Sequence, residues 1–125
     1  MKKMVVVLDA DKKQRNILCT LLADNNYQTA PMSSLSELEH QLEQNDCQAV
    51  MVNLDSISVT NKNFRALKQK KPEMSIIAFS ERQFHPELEE SLREYISVCL
   101  ATPIDSDELF YWLNSIFEHE GNAKD

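Results

Sequence analysis

Short apolar runs alternate with segments of helical period along most of the chain. Met4–Leu8 is a continuous aliphatic, β-branched run, the pattern of a strand buried on both faces. Asp11-Lys-Lys-Gln14 then opens a helix through a capping box, whose first and fourth residues satisfy each other's backbone donors. Ile17, Leu18, Leu21 and Leu22 supply the buried stripe of that helix, and Asn25-Asn26 ends it. Residues 27–32 form a second, shorter strand. Ser34-Leu-Ser-Glu37 is a second capping box, with Leu35, Leu38 and Leu42 at helical spacing behind it. Residues 49–54 make a third strand and residues 55–60, without periodicity, the longest loop. The next helix, 61–70, carries only Phe64, Ala66 and Leu67 as apolar residues. Residues 74–79 are a fourth strand. Pro86, at a first helical position, opens a helix over 87–95 that buries Leu88, Leu92 and Tyr95. Residues 97–101 are a fifth strand, and Asp105-Ser-Asp-Glu108 caps a last helix through about Phe117.

Five strands alternating with five helices over short links predict an α/β fold, a parallel sheet covered on both faces. Right-handed crossovers leave few topologies, of which the doubly wound order 2-1-3-4-5 is favoured. In that order the functional edge lies where the C-terminal ends of strands one and three meet. Asp9, Ala10, Asp11 and Asn53 are expected there.

Length and composition narrow the picture. At 125 residues the chain fits one domain, expected over 1–118, with 119–125 a polar tail or the start of a linker. Its net charge of −7 argues against direct nucleic-acid binding, which needs clustered cations. Lys68, Lys70 and Lys71 read as the solvated end of a helix, where cations suit the dipole. Cys19, Cys47 and Cys99 are far apart, without metal-ligand spacing, and are expected to be reduced and mostly buried. The only glycine is Gly121, which excludes phosphate-cradling loops that need glycine for close backbone approach. No apolar run approaches the length of a membrane span, and the apolar stretch after Lys3 reads as a strand, not a signal peptide. A cytoplasmic location is expected.

The order of landmarks over about residues 4–118 resembles that of response-regulator receiver domains of two-component signalling, with their flavodoxin-like (βα)5 three-layer sandwich. In that family the first strand ends in two or three acids; here the segment is Leu8-Asp9-Ala10-Asp11. The third strand ends in the phosphorylated aspartate; here Ala49-Val-Met-Val52 is followed by Asn53. The fourth ends in Thr or Ser, matched by Ser80. The fifth ends in Lys-Pro before an acidic cap, matched by Thr102-Pro103-Ile-Asp105-Ser-Asp-Glu-Leu109, and the resemblance implies a cis link before Pro103. The departures fall on the chemistry. Asn53 presents an amide where the family has a carboxylate nucleophile. Ala10 replaces a magnesium ligand, and Thr102 replaces the lysine that neutralises the phosphoryl group. Cys99 stands where the family has an aromatic residue that rotates on phosphorylation. Magnesium demands hard anionic oxygens in octahedral array, so its binding is expected to be weak or absent, with no other cofactor. Clustered carboxylates repel one another without a cation, so their loss should relieve strain.

Each survivor also has a structural role open to it. Asp11 suits a helix N-cap, Ser80 a strand-end hydrogen bond, and Asp9 either a remnant of the acidic pocket or a buried structural bond. Asp55 is an alternative phosphoryl acceptor. On the last helix Leu109, Leu113 and Ile116 centre an apolar arc that Phe110, Phe117 and Trp112 widen beyond the roughly 100° of a core-facing stripe. Tyr111 and Trp112 are therefore candidate interface residues. The leading expectation is an atypical receiver that acts through protein contacts without phosphorylation. Its partners would be itself, a sensor kinase or an output domain, with a homodimer through helix four, strand five and helix five as one form. The competing expectation is a phosphoryl-accepting receiver switch in a phosphorelay that uses Asp55 or another carboxylate. A small-molecule binder of flavodoxin type is weakened by the lack of glycine.

Overall fold

The computed structural model describes residues 3–122. The strands are β1 Met4–Leu8, β2 Gln28–Met32, β3 Ala49–Asn53, β4 Ser75–Ser80 and β5 Val98–Ala101. The helices are α1 Lys12–Asp24, α2 Leu35–Gln44, α3 Asn61–Lys70, α4 Glu89–Glu94 and α5 Ser106–Asn122. All strands are parallel, in the order β2-β1-β3-β4-β5. The expected doubly wound sandwich is the observed one.

The apolar runs divide between two cores because successive side chains leave opposite faces of a strand. Val6, Leu8, Val50, Val52, Ile76 and Ala78 face one layer with Leu38, Leu42, Phe64, Leu67 and Leu88. Val5, Val7, Ala49, Met51, Ile77 and Phe79 face the other with Leu18, Leu22, Leu109 and Leu113. A strand buried on both sides shows no polar alternation, which is why these runs read as continuous.

Several local expectations need correction. Ile17 is 62% exposed and contributes nothing to the stripe of α1. Asp11 does cap α1, accepting the Gln14 N–H at 3.1 Å. The reciprocal half of the box is missing, since the Gln14 side chain turns instead to Asn53. Likewise Ser34 caps α2, while the Glu37 carboxylate takes the Ser33 hydroxyl. The complete capping box belongs to α3, where Thr60 and Asn63 bond each other's backbone. Pro86 opens a single 3₁₀ turn, Pro86–Leu88, and α4 is a short helix behind it. Helix α5 runs beyond Phe117 to Asn122, so part of the expected tail is helical; 123–125 lie outside the described residues. The three cysteines are free and only partly buried. Burial pushes the Cys47 thiol up to about 11 beside the Met74 sulfur. Lys68 is not simply solvated: its ammonium donates to the carbonyls of Pro72 and Met74, while Lys71 pairs with Asp46. Among the described residues no helix is long and apolar enough to cross a membrane.

Tyr27 precedes β2 rather than joining it. It is buried against Phe110 and Phe117 of α5, and its hydroxyl donates to Asn114. Asn26, in the left-handed region at φ 71°, makes the turn that delivers it.

Candidate functional site

Strand order reverses between β1 and β3, so the crossovers leave opposite ways and open a crevice at their C-terminal ends. Leu8 pairs with Val52, which puts Asp9 and Asn53 side by side just past that pair. Both are almost fully buried, at 0% and 4% exposure. The expected group of Asp9, Ala10 and Asn53 is therefore assembled, and Asp11 sits at its rim as the cap of α1.

A closed set of hydrogen bonds fills this edge. One Asp9 oxygen, Oδ1, accepts the Asp11 N–H and the Ser56 hydroxyl, each at 2.9 Å. The Ser56 oxygen in turn accepts the Ala10 N–H at 3.0 Å. Arg15 donates to the Asp9 carbonyl at 2.8 Å. Asn53 donates through Nδ2 to Gln14 Oε1 at 3.1 Å and accepts the Asp55 N–H on Oδ1 at 2.9 Å. Both ends of its amide are thereby used. The second Asp9 oxygen, Oδ2, is buried without a hydrogen-bond partner.

Asp55, on the loop after β3, reaches across to the end of β4. Its Oδ1 accepts the Ser80 hydroxyl at 2.6 Å and its Oδ2 accepts the Glu81 N–H at 2.7 Å. Burial works to raise its pKa, but these two bonds, with His85 and Arg82 nearby, outweigh it and hold Asp55 below the ordinary carboxylate value. The Ser80 oxygen also accepts the Arg82 N–H at 2.9 Å, so Ser80 joins Asp55 to the β4–α4 loop. Cys99 lies on β5 beside this group; burial first, then the Asp55 charge, push its thiol up. Thr102 is half-buried and its N–H donates to the Ser80 carbonyl at 3.1 Å. The Thr102–Pro103 bond is cis.

These donors do not fit magnesium, which takes near-octahedral hard oxygens. Ala10 offers no side-chain ligand, the Asn53 carbonyl is taken, and both Asp55 oxygens are engaged. Asp9 Oδ2 is the buried oxygen left without a partner, and among the described residues no group of three or more His, Cys, Asp or Glu could hold a metal together. Tyr111 and Trp112 lie away from this network, on α5. Tyr111 is 70% exposed and meets Trp112 edge-on; Trp112 is half-buried against the core shared by α1 and α5.

Two residues of this network carry little signal in the sequence. Gln14 was legible only as a capping partner, and Ser56 sits in a loop whose residues carry no period to place them. A hydroxyl three positions after a strand-end Asn is the sole signal, and it is weak.

No family model matches the sequence, and no curated protein matches it. Solved structures do. The signal receiver domain of an HD domain-containing protein from Pseudomonas fluorescens Pf-5 superposes with a TM-score of 0.86 at 16% identity, covering 98% of this chain and 99% of that one. A CheY-like response regulator receiver domain protein from Methanospirillum hungatei JF-1 gives 0.84 at 14% identity, with 98% and 99% covered. NtrX from Brucella abortus, in complex with ADP, gives 0.82 at 14%, with 99% of this chain matching 29% of that one. At these identities the likeness is one of fold: the chain has the fold of response-regulator receiver domains.

Proposed function

We infer that this chain is an atypical receiver that regulates through protein contacts without being phosphorylated. The observation that carries this reading is Asn53. At the end of β3 it presents an uncharged amide whose oxygen and nitrogen are both committed, to Asp55 and to Gln14. Transfer of a phosphoryl group needs a carboxylate oxygen to attack phosphorus and form an acyl phosphate. An amide is a poor nucleophile, and Thr102 supplies no cation to neutralise the incoming group. What remains is a rigid scaffold whose surfaces are available to protein partners: a second copy, a sensor kinase or an output domain. Tyr111 and Trp112 on α5 are candidate contacts for such a partner.

A second reading has its own support. Asp55 is exposed and held ionised, so it is a carboxylate near this crevice that a phosphoryl donor would reach. Its attack would displace acetate from acetyl phosphate and leave an aspartyl phosphate. Against it, both oxygens already accept hydrogen bonds, and no magnesium set accompanies them. Beryllofluoride, which adds to a receptive carboxylate as a phosphoryl analogue, separates the two. The amide spectrum of the protein with magnesium should not change on its addition; shifts centred on Asp55, Ser80 and Glu81 would favour the switch.

A further inference from the structure

The loop between β4 and α4 buries an imidazole. The His85 side chain is 3% exposed, with one end of its ring against the Arg82 carbonyl and the other toward the Glu87 carboxylate. The two ends impose opposite demands. A carbonyl only accepts, so Nε2, 3.2 Å from the Arg82 oxygen, must carry the proton and donate. In the neutral ring Nδ1 is then a bare lone pair. It faces Glu87 Oε1 at 3.9 Å, two acceptors with no proton between them. A second proton, on Nδ1, turns that mismatch into an ion pair.

A buried cation is costly unless it is paired and hydrogen-bonded, and the charges around the ring supply both. Glu87 Oε1 already accepts from the Arg82 guanidinium at 2.8 Å, so a protonated His85 sets this carboxylate between two cations. Asp55, on the β3–α3 loop, is the second anion close to the ring, and it fastens the same loop through Ser80. From α4, Glu89 and Arg93 line the groove beside His85 and face each other at 3.8 Å. Arg82 offsets Glu87 and Arg93 offsets Glu89, which leaves Asp55 as the net charge facing the ring. Glu87 is held below the ordinary carboxylate value by its own backbone N–H first and then by Arg82. With Asp55 also held down, both carboxylates stay ionised where an imidazole gains its proton.

We propose that His85 is a proton-operated clamp: a proton on Nδ1 completes an Arg82–Glu87–His85 cluster that fixes the β4–α4 loop, and its loss loosens the loop. Closing sets that proton against Glu87, whereas opening leaves the ring in water, so closing binds a proton and is favoured as pH falls. The loop joins Ser80 and Asp55 to Phe84, which is 79% exposed, so the clamp puts an outer surface of the domain under control of pH. It needs no phosphoryl group and stands whether or not the chain accepts one.

Nitrogen-15 ring spectra and amide exchange of the full chain test it. At about pH 8 the His85 ring should be the Nε2–H tautomer. Between about pH 8 and about pH 5, the protection of amides from Arg82 to Leu88 should rise roughly fivefold relative to that of α2. Both are corrected for the intrinsic pH dependence of exchange. His85→Gln keeps a donor for the Arg82 carbonyl but takes no proton, and Glu87→Gln removes the facing anion; each should abolish the rise. Should His85→Gln fail to fold, Glu87→Gln, at a half-exposed side chain, decides alone. An Nδ1–H tautomer overturns the clamp, as does a protection ratio that is level or falls in acid, or a rise that survives in either variant.

Discussion

Asn53 and Asp55 sit two residues apart in opposite surroundings, the amide buried and the carboxylate exposed. Asn53 occupies the buried strand end, where a second ionised group next to Asp9 would be costly without a cation. Asn53→Asp should therefore lower stability at neutral pH by about 1–3 kcal/mol, measured by urea denaturation. A variant as stable as the parent would mean that the pocket tolerates both charges. Asp55 acts in the other direction. Its folded pKa is depressed, so its contribution is complete above the unfolded value near 3.8 and is lost as pH falls through the lower folded value. The stability gap between the parent and Asp55→Asn should be constant near neutrality and close below about pH 4. A gap that persists into strong acid would assign the effect to packing. The amide at position 53 was legible in the sequence because one residue type replaced another at a strand end. The bond from Asp55 to Ser80 was not, since it joins a loop without period to a strand 25 positions later.

Between elements, the joint of α3 and α4 is polar where the sequence offered mainly apolar clues. Asn61 accepts both the N–H and the hydroxyl of the fully buried Ser91, and donates to the Glu87 carbonyl. Beside it Arg65 and Tyr95 both bond Glu90. Asn61→Ala would leave the Ser91 donors buried without an acceptor, at about 1–3 kcal/mol. Thermal unfolding should show that loss, and amide exchange should localise it to α4; a neutral outcome would mean that water replaces the Asn61 oxygen. The span of α3 matches the expected 61–70, although only Phe64, Ala66 and Leu67 marked its apolar side and the lysine-rich stretch its end. Its capping box was not read, because Asn63 serves in place of the usual Glu or Gln. The short length of α4 was hidden too: a proline at a first helical position permits a 3₁₀ turn as readily as an α-helix.

For the whole molecule, the sheet order followed from five short strands, all but the polar-edged β2 built on apolar runs, and from short links, which admit few parallel arrangements. What the runs could not carry was the use made of the crevice, because that depends on which loop side chains close it. Closed as it is by Ser56, Gln14 and Asp55, the crevice has among the described residues no group of three or more His, Cys, Asp or Glu that could hold magnesium together. The melting temperature should thus be the same with magnesium as with a chelator, and a clear rise with magnesium would contradict the donor count. No carboxylate here is expected to accept a phosphoryl group, and intact-mass spectrometry after incubation with acetyl phosphate and magnesium decides it. The unmodified mass alone should appear. A stoichiometric phosphoryl adduct, absent from Asp55→Asn, would contradict it and make Asp55 the acceptor.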